Sequence, residues 1–562
     1  MKRWLAETHG ATFELLRHFL LRFFESELIT APGEMLPVLI GILPVFFQWF
    51  FIVIPPLHHK YAYLAQLPVP GPYREAVRAD QLWLIALVMS AIGLLTAIKW
   101  QTLFPSLRDC QVLGSLPLRA RQIFLAKLMA LVIVAAAALF VVNFLPCLGF
   151  PSISQTRWSL QPSAGRSVLA HAVASLAGCA FFVFGLAALQ GVLLNLLPPR
   201  AFGRLTGYLQ GALVGLMLCL AVVSFSIEPR ITAAAVRPEW GAWLPPVWFL
   251  GVCRTILGDP DPAMHAYGRI GWIALGAALA LTLLTYAVSY HRHRALMVEG
   301  PSRRAGKDRL GNLLASILSR EPRQQAIFSF MLRTLARGNH HRMILMGYAG
   351  LAIALLATGI LAMDSVVGAA RASAADFVYY HLIALLFLVA GARQLFAVPT
   401  ELKANWIFQI TEREGRVEWL GAMDRFVLIF GFVPLMLIPL PLEFHMLGLR
   451  AIPEAAILAA VGLLAYEWTF SSWNKLPFTC SQLPGKTPVW LVLAFFGLFG
   501  VLSIVHNLLL AALDNLFGYA LLSAMVAVAV IKIHRARMEH QAEVPLKYEE
   551  LPESPVQALT LR

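Results

Sequence analysis

Apolar runs long enough to cross a lipid bilayer recur along the whole chain, and they restrict it to one class of fold. A helix that spans a membrane needs about 20 mainly apolar residues. Hydrophobic residues make up 59% of the 562 residues, charged residues only 14%, and the mean hydropathy is +0.69. Soluble domains carry about 25% charged residues. The composition therefore predicts an all-α polytopic membrane protein embedded in a lipid bilayer.

Twelve of these runs are predicted to be transmembrane helices. The predicted spans are residues 36–55, 81–98, 123–145, 167–197, 203–226, 268–290, 343–362, 378–398, 426–442, 451–470, 488–507 and 513–533. A proline-rich outer loop is predicted between the first two spans. The tryptophan-rich stretch 227–267 predicts an outer loop with an interfacial or re-entrant piece, because tryptophan favours the membrane–water boundary.

Basic residues encode the orientation of these spans. The formal net charge is +14, and the basic residues lie in loops between the apolar runs. Lys and Arg are enriched on the cytoplasmic side of membrane proteins, so this charge sets the topology and does not indicate a nucleic-acid partner. The arginine-rich stretch 291–342 is therefore predicted to be cytoplasmic. Twelve spans then place both termini in the cytoplasm of a protein of the plasma (inner) membrane.

Several reactive residue types lack the spacing that a site needs. Six cysteines show no paired spacing, so neither a disulfide framework nor a metal site is predicted. Three pairs of histidines lack convergent partners: His58–His59, His291/His293 and His340–His341. Acidic residues deep inside the spans are nearly absent, which argues against a proton-coupled carrier. Glu467 is the closest candidate, and we expect it to lie at the membrane interface.

One polar segment, Leu103–Leu128, has local chemistry that can be interpreted in detail. Pro105 suits the first turn of a helix and Gly114 suits the position just past its end, which predicts a short helix over residues 105–113. A second helix begins near Pro117 and continues into the membrane. The basic residues of the segment are Arg108, Arg119, Arg121 and Lys127. The segment either receives a push from a soluble partner or is a basic loop that only sets topology.

The two halves of the chain are alike. Each half begins with an amphipathic helical stripe, formed by Phe13, Leu16, Leu20 and Phe23 in the first and by Phe328, Met331, Leu332 and Leu335 in the second. After the second span of the second half, Pro399 and Lys403 repeat the pattern of Pro105 and Arg108 with one residue inserted. Six spans per half make the two pseudo-repeats parallel, related by an axis along the membrane normal.

This pattern predicts five regions. They are an interfacial amphipathic helix (1–35), a first six-helix half (36–290), a basic cytoplasmic linker with a second amphipathic helix (291–342), a second six-helix half (343–533) and a cytoplasmic tail (534–562).

The arrangement resembles the permease subunits of type II ATP-binding-cassette exporters, in their large form with two halves in one chain. The loop RDCQVLGSLPLRARQIFLAK is similar to the D-x-x-x-L-x-x-L-P pattern of that family, through Asp109, Leu113, Leu116 and Pro117. The second half has Ala404 where the acidic residue would be. The resemblance implies that short helices dock into a groove on an ATPase subunit. The implied coupling residues are Pro105, Arg108, Asp109, Leu113, Pro117, Arg119, Arg121, Pro399 and Lys403.

The energy for transport must then come from another chain. Gly485, Lys486 and Thr487 supply the end of a phosphate-binding loop, but Cys480 stands where the first glycine is needed. We therefore expect a turn there, with no cofactor bound by this chain and no enzymatic activity of its own. ATP and Mg²⁺ are expected in a partner ATPase, present in two copies. The segment KLPFTCSQLPGK also looks like a motif of large permeases of this class, and we expect a cytoplasmic turn.

Two further patterns have a structural interpretation. Gly203, Gly207, Gly211 and Gly215 form a ridge of small residues that favours close helix packing. Asp259 and Asp261 make a D-x-D sequence, which metal-dependent sugar transferases use. Because prolines flank them, a solvated turn is the favoured interpretation.

Two other classes of function stay open. One is a secondary transporter that works without an ATPase. The other is a membrane-embedded glycosyl or lipid transferase that uses the Asp259/Asp261 loop. The sequence indicates no substrate class.

Overall fold

A computed structural model describes residues 12–20, 54–104, 120–161, 163–225, 227, 229–296, 321–365, 370–400, 402–412, 416–480, 504, 508 and 515–548. These residues are mostly helical, and no β-strand is formed among them. In the first part of the chain the helices are α1 (12–20), α2 (54–66), α3 (Gly71–Ile98), α4 (Ala120–Ile153), α5 (Ala164–Leu196), α6 (Pro199–Ser224), α7 (Pro229–Ala235), α8 (Pro238–Gly241), α9 (Pro245–Leu257) and α10 (Pro262–Leu296).

The helices continue in the second part of the chain. They are α11 (Pro322–Arg337), α12 (Asn339–Ser365), α13 (Ala370–Phe396), α14 (Trp406–Thr411), α15 (Arg416–Val427), α16 (Val433–Leu437), α17 (Leu440–Leu447), α18 (Ala451–Thr469) and α19 (Leu516–Glu543). A π-helical turn at Leu428–Phe432 joins α15 to α16. Short 3₁₀ helices occupy Trp100–Thr102, Leu402–Ala404 and Gly448–Arg450.

Ten helices in the described part of the chain are long and apolar enough to cross a membrane. They coincide with ten of the twelve predicted spans. The other two predicted spans, 36–55 and 488–507, lie almost entirely outside the described residues. The chain is therefore an all-helical, multi-pass membrane protein.

Prolines set several helix boundaries that differ from the sequence prediction. Helix α3 begins at Gly71, within the predicted outer loop, because Pro72 fits the first turn of a helix. The stretch 227–267 is also more helical than predicted. It contains α7, α8, α9 and the start of α10, and each of these helices begins with a proline. Proline is suited to this position because its missing N–H would have no partner there.

The chain divides into two compact units, Met1–Arg303 and Arg304–Arg562. In the first unit, α3 packs against α5, α6 and α9. The core between these helices is apolar and includes Ile85, Met89, Cys179 and Phe249, each at most 2% exposed. Helix α3 therefore organises the first unit and places the polar residues of its first turns at one end of that unit.

Helix α1 packs against α4 in the same unit. Its buried residues are Leu15 and Phe19, which contact Ile123 and Ala126. Phe13, in the predicted apolar stripe, is only half-buried. The face of α1 that meets α4 is therefore formed by Leu15 and Phe19. It differs from the predicted stripe, which contains Phe13, Leu16 and Leu20.

In the second unit, α12 packs against α13, α18 against α19, and α11 against α15. A Cβ atom at Gly391 would lie 2.5 Å from Cγ of Tyr348, so only glycine allows α12 and α13 to approach this closely. The predicted stripe on α11 is buried at Phe328, Met331 and Leu335. These side chains join a core cluster formed by the ends of α13, α15 and α18.

Candidate coupling site

The predicted coupling residues fall into two groups. Six of them lie outside the described residues: Pro105, Arg108, Asp109, Leu113, Pro117 and Arg119. Arg121 lies in the first turn of α4. Pro399 and Lys403 belong to the second predicted coupling segment, 398–410, which the structure describes except for residue 401. The geometry of a candidate coupling site can therefore be built from the second unit, and the first coupling loop stays a prediction.

The second coupling segment consists of two short helical turns after α13. Helix α13 ends at Phe396, shortly before Pro399, which is consistent with the restriction that proline places on the residue before it. Lys403 lies in the 3₁₀ helix Leu402–Ala404, and α14 follows at Trp406–Thr411. Asn405 joins the two turns and is 5% exposed. The segment therefore forms two helical turns divided at a buried asparagine, and not the one short helix that its likeness to residues 105–113 predicts.

The segment KLPFTC, Lys475–Cys480, is bonded directly to this coupling segment. The N–H of Phe478 donates to the carbonyl oxygen of Phe396 at 2.9 Å. The N–H of Thr400 donates to the carbonyl oxygen of Phe478 at 3.0 Å. The Nδ2 of Asn405 donates to the carbonyl oxygen of Thr479 at 2.8 Å. The sequence predicted only a cytoplasmic turn for KLPFTC, whereas the structure makes it a clamp that holds both ends of the segment between α13 and α14.

Phe478 is the centre of this clamp. It has a φ of +66°, the only positive φ of a non-glycine residue in the described part of the chain, and its side chain is 1% exposed. Its ring centroid lies 5.8 Å from that of Phe396 and 4.8 Å from that of His341. A left-handed backbone costs a non-glycine residue about 1–2 kcal/mol. The buried aromatic contacts must offset that cost.

His341 adds another bond to the segment. Its side chain is buried, and its Nε2 lies 2.9 Å from the carbonyl oxygen of Val398. Since a carbonyl oxygen only accepts, Nε2 carries the proton. From the sequence, the pair His340–His341 had no convergent partner. The structure instead assigns His341 a position in the core beside the coupling segment.

The chain after α19 also reaches the clamp. The Sγ of Cys480 lies 2.9 Å from the carbonyl oxygen of Lys547, and the N–H of Lys547 donates to Asn474 at 2.9 Å. The N–H of Leu546 donates to Oε1 of Glu412 at 3.3 Å. The predicted tail from 534 onward is thus part of the fold through residue 548. It connects the end of α19 to the coupling segment.

Most of the outer surface of α14 is apolar, with Gln409 as its exposed polar residue. The exposed fractions of Trp406, Ile407 and Ile410 are 57%, 47% and 68%. The same helix is anchored from inside by Phe408, whose ring lies 5.2 Å from that of Phe330 on α11. A six-residue helix would not be stable alone, so the anchored residues hold it while these three side chains face outward.

A buried ion network supports the core behind the clamp. Arg537 on α19 is 1% exposed, and its guanidinium donates to the carboxylate of Asp424 on α15 and to Oε2 of Glu467 at 3.1 Å. The Nδ1 of His534 lies 3.0 Å from Oε1 of Glu467, and the hydroxyl of Tyr466 donates to Asp424. Glu467 is therefore buried and paired. The network ties α19 to α15 and α18 across the second unit.

The D-x-D sequence of the first unit is also part of an ion network. Asp259 is 3% exposed, and Nη2 of Arg78 donates to both of its oxygens, at 3.1 and 3.0 Å. The Nε of Arg254 lies 3.2 Å from Oδ2 of Asp259, and Nη1 of Arg78 lies 3.4 Å from Asp261. The prediction of a solvated turn is therefore wrong for Asp259, because its side chain is buried. Two arginines occupy the positions around its carboxylate that a metal ion would need.

Asp261 has a local role in the same turn. Its Oδ1 accepts from the N–H of Ala263 at 3.0 Å, in the first turn of α10. Burial lowers the pKa of Arg254, and the charge of Asp259 acts in the opposite direction. In the described part of the chain, no group of three His, Cys, Asp or Glu residues is arranged to hold a metal ion.

A second buried carboxylate lies at the same end of α3. The carboxylate of Asp80 accepts from Nζ of Lys60 at 2.8 and 2.9 Å and from the hydroxyl of Tyr61 at 2.7 Å. Burial raises the pKa of Tyr61 well above its ordinary value of 10.0, and the negative charge of Asp80 raises it further. These bonds fix α2 to α3.

The second unit contains an ionisable cluster that no local sequence pattern indicates. His381, Glu443 and Glu454 are all at most 3% exposed and lie within candidate membrane spans. The Nδ1 of His381 lies 2.6 Å from Oε1 of Glu443, and its Nε2 lies 3.0 Å from the carbonyl oxygen of Leu435. The span prediction ended at residue 442, which placed Glu443 in a loop. Glu443 and Glu454 lie near the ends of their spans, so they are buried acidic residues that the prediction about the depths of the spans did not include.

The glycine ridge lies on α6. Gly207, Gly211 and Gly215 are buried, whereas Gly203 is exposed and a Cβ atom there would meet nothing within 4 Å. Helix α6 packs against α3, and Nε2 of Gln210 donates to the carbonyl oxygens of the last residues of α3. Only the three inner glycines of the predicted ridge are therefore buried.

Sequence reasoning could identify only part of the candidate coupling site. The repeated Pro–Lys pattern located the segment, and the unusual KLPFTC stretch was noticed without a mechanism. The contributions of Asn405, His341 and Lys547 depend on contacts between residues about 60 to 75 positions apart, which no local pattern indicates. Comparison with protein-family models, with curated proteins and with solved structures finds no match to this chain.

Proposed function

We propose that this chain is the permease subunit of an ATP-driven exporter of the type II ATP-binding-cassette class. In this proposal two parallel six-helix repeats form the transmembrane pathway, and a separate ATPase docks on the cytoplasmic side. The observation that carries the proposal is the second coupling segment. It presents Trp406, Ile407 and Ile410 outward while the KLPFTC clamp holds it from behind.

The bonding around this segment supports a mechanical role. A push on α14 is transmitted through Asn405 to Thr479, and through Phe478 to the last turn of α13. Arg393 on α13 donates to the carbonyl oxygen of Thr469 at the end of α18. Because hydrogen bonds and packed rings link these elements, displacement of one requires movement of the others. The ends of two candidate spans would therefore move together.

The short helical elements support the repeat. In the first unit, the 3₁₀ helix Trp100–Thr102 directly follows the span in α3, and in the second unit Leu402–Ala404 follows the span in α13. In both units a short amphipathic helix lies earlier in the chain, α1 and α11. This supports equivalent positions for the two coupling segments, residues 105–113 and 398–410.

Reconstitution with a candidate ATP-binding-cassette ATPase from the same organism tests the proposal. The chain and this ATPase are co-purified, placed in liposomes and assayed for complex formation and ATP hydrolysis. Ile410→Asp puts a charge in the apolar surface of α14 and should abolish both. Leu449→Asp is the control, since Leu449 is 81% exposed at the opposite end of α18. Unchanged association and hydrolysis with Ile410→Asp would contradict the proposed docking surface.

A secondary transporter is a second candidate, favoured by the buried cluster of His381, Glu443 and Glu454. Ionisable residues within spans are costly and commonly mark ion pathways. Liposomes that contain this chain alone, with an imposed pH gradient and an internal pH dye, test this function. Proton flux that is lost in Glu443→Gln would support a secondary transporter, and its absence would leave the ATP-driven permease as the better proposal.

A further inference from the structure

Three buried ionisable side chains of the second unit come from three different helices. His381 lies on α13, Glu443 on α17 and Glu454 on α18, and they are 0%, 1% and 3% exposed. Glu454 is within electrostatic range of Glu443. The next residues of these helices belong to an apolar core that includes Leu382 and Ile457. Because a charge is poorly solvated in such surroundings, the charges of the cluster must balance one another.

The bonds of His381 determine the net charge of its pair with Glu443. Its Nε2 lies 3.0 Å from the carbonyl oxygen of Leu435, which only accepts, so Nε2 carries a proton. Its Nδ1 lies 2.6 Å from Oε1 of Glu443. This contact needs one proton between the two atoms, because an unprotonated ring nitrogen and a carboxylate oxygen both accept. The pair is therefore neutral, whichever of the two atoms holds that proton.

Glu454 has no counter-ion of this kind. Its Oε2 is inaccessible to solvent and has no hydrogen-bond partner, and the same is true of Oε2 of Glu443. The hydroxyl of Tyr519 on α19 donates to the carbonyl oxygen of Pro453. His445 and Arg450, the basic residues between the two glutamates along the chain, are exposed. An ionised Glu454 would therefore add an uncompensated buried charge to the neutral pair.

One additional proton removes this charge and satisfies both unpartnered oxygens. Two carboxylate oxygens cannot bond to each other, since both only accept, whereas a carboxylic acid donates one O–H bond. Two carboxylates that share a site retain a proton on one of them. A proton also needs no cavity. In the described part of the chain, no group of three His, Cys, Asp or Glu residues could hold a metal ion instead.

We propose that Glu443 and Glu454 share one proton in the folded protein, which makes this cluster a buried proton-binding site between α17 and α18. The carboxylate of Glu454 takes the proton from a hydronium ion, which leaves water, and the resulting acid donates to Oε2 of Glu443. Loss of the proton leaves two carboxylates with one cation and repels α17 from α18. The site does not rest on the proposed permease function, because a proton bound at rest requires neither an ATPase nor a gradient.

Infrared difference spectroscopy of the full-length protein at neutral pH tests this site. A protonated carboxyl group has a C=O band that a carboxylate lacks, and the band shifts when H₂O is replaced by D₂O. The protein is kept in a detergent without ester groups, because their C=O band would overlap. We expect the difference between the native protein and Glu454→Gln to contain this band. Labelling glutamate with ¹³C should shift the same band in the native protein, so the test remains valid if the variant does not fold.

Glu467→Gln is the matched control. Glu467 is also a buried glutamate of α18, but its carboxylate is paired with Arg537 and His534. It should therefore be ionised, and the difference between the native protein and Glu467→Gln should contain no band of a carboxylic acid.

The pH dependence of unfolding gives a second measurement. A glutamate of the unfolded chain titrates at about pH 4.3, so above that pH unfolding of the native protein releases the proton of Glu454. Glu454→Gln has no such proton to release. The unfolding constant of the native protein, relative to that of the variant, should therefore rise about tenfold per pH unit above about pH 5.

Three results would overturn the proposal. The first is a native spectrum without an acid band from glutamate, which would mean that both carboxyl groups are ionised. The second is an acid band that Glu454→Gln leaves unchanged, together with a ratio of unfolding constants that does not vary with pH. The third is an acid band that disappears when NaCl is added at constant pH, which would assign the site to a sodium ion.

Discussion

The N–H of Thr400 donates to the carbonyl oxygen of Phe478 at 3.0 Å, across 78 positions of the chain. This bond joins the second predicted coupling segment to the KLPFTC segment. The N–H of the same Phe478 donates back to Phe396 at the end of α13. One residue in an uncommon backbone conformation therefore connects a candidate membrane span to the short helices that follow it.

The backbone conformation of Phe478 predicts that Phe478→Gly is at least as stable as Phe478→Ala. At most positions a glycine variant is the less stable of the two. Phe478→Ala should destabilise the protein by about 3–5 kcal/mol, because it empties an aromatic site in the core. Phe478→Gly removes the same ring but relieves the left-handed backbone, by about 1–2 kcal/mol. We therefore expect Phe478→Gly to unfold at the same temperature as Phe478→Ala or above it, measured by thermal unfolding in detergent. A clearly lower unfolding temperature for the glycine variant would show that the backbone at this position is unstrained.

Asn405 tests whether the coupling segment depends on its clamp. Asn405→Ala removes the side-chain amide that donates to the carbonyl oxygen of Thr479. That buried carbonyl group then loses this hydrogen bond. We expect a loss of about 1–3 kcal/mol in stability and faster proteolysis between α13 and α15. Gln409→Ala, on the exposed side of α14, is the control and should change stability by less than about 0.5 kcal/mol. Equal effects of the two substitutions would argue that the bond to Thr479 contributes nothing.

These clamp residues show why the sequence predicts the fold better than the site. The long apolar runs specify ten spans directly, because each run carries its own signal of length and hydropathy. Phe478 and Asn405 carry no such signal, since an isolated phenylalanine or asparagine is ordinary in a loop. Their roles arise from pairing with Phe396 and Thr479, which is a property of the tertiary structure. The same holds for Asp259, whose flanking prolines indicated a turn but not the two arginines around it.

Arg537 gives a prediction about buried charge in the second unit. Arg537→Leu leaves Asp424 and Glu467 without their cation, and we expect a loss of about 3–5 kcal/mol. Adding Asp424→Asn and Glu467→Gln removes the unpaired charges and should restore part of that loss. Arg323→Ala is the control, since its contact with Glu418 is at the surface, 3.5 Å long, and worth at most about 1 kcal/mol. Chemical denaturation in detergent measures all four proteins, and no recovery in the triple variant would contradict electrostatic pairing as the cause.

Tyr61 predicts a dependence of stability on alkaline pH. Its pKa in the folded protein is raised well above 10.0 by burial and by Asp80, whereas in the unfolded chain it titrates near 10.0. A group whose pKa is raised by folding contributes stability that is fully present below the pKa of the unfolded chain. That contribution is lost as the pH rises from about 10 toward the pKa of the folded state. Tyr61→Phe removes both the titration and the bond to Asp80.

The difference in stability between the native protein and Tyr61→Phe isolates this effect from the other groups that titrate at high pH. We expect the native protein to be more stable by about 1–3 kcal/mol at pH 8, because the hydroxyl donates to a buried carboxylate. The advantage should shrink as the pH is raised beyond 10. Thermal unfolding of the two proteins at a series of pH values from 8 to 11 measures it. A difference that stays constant over the whole series would mean that Tyr61 titrates no differently in the folded and unfolded states, and that the bond to Asp80 does not hold its proton.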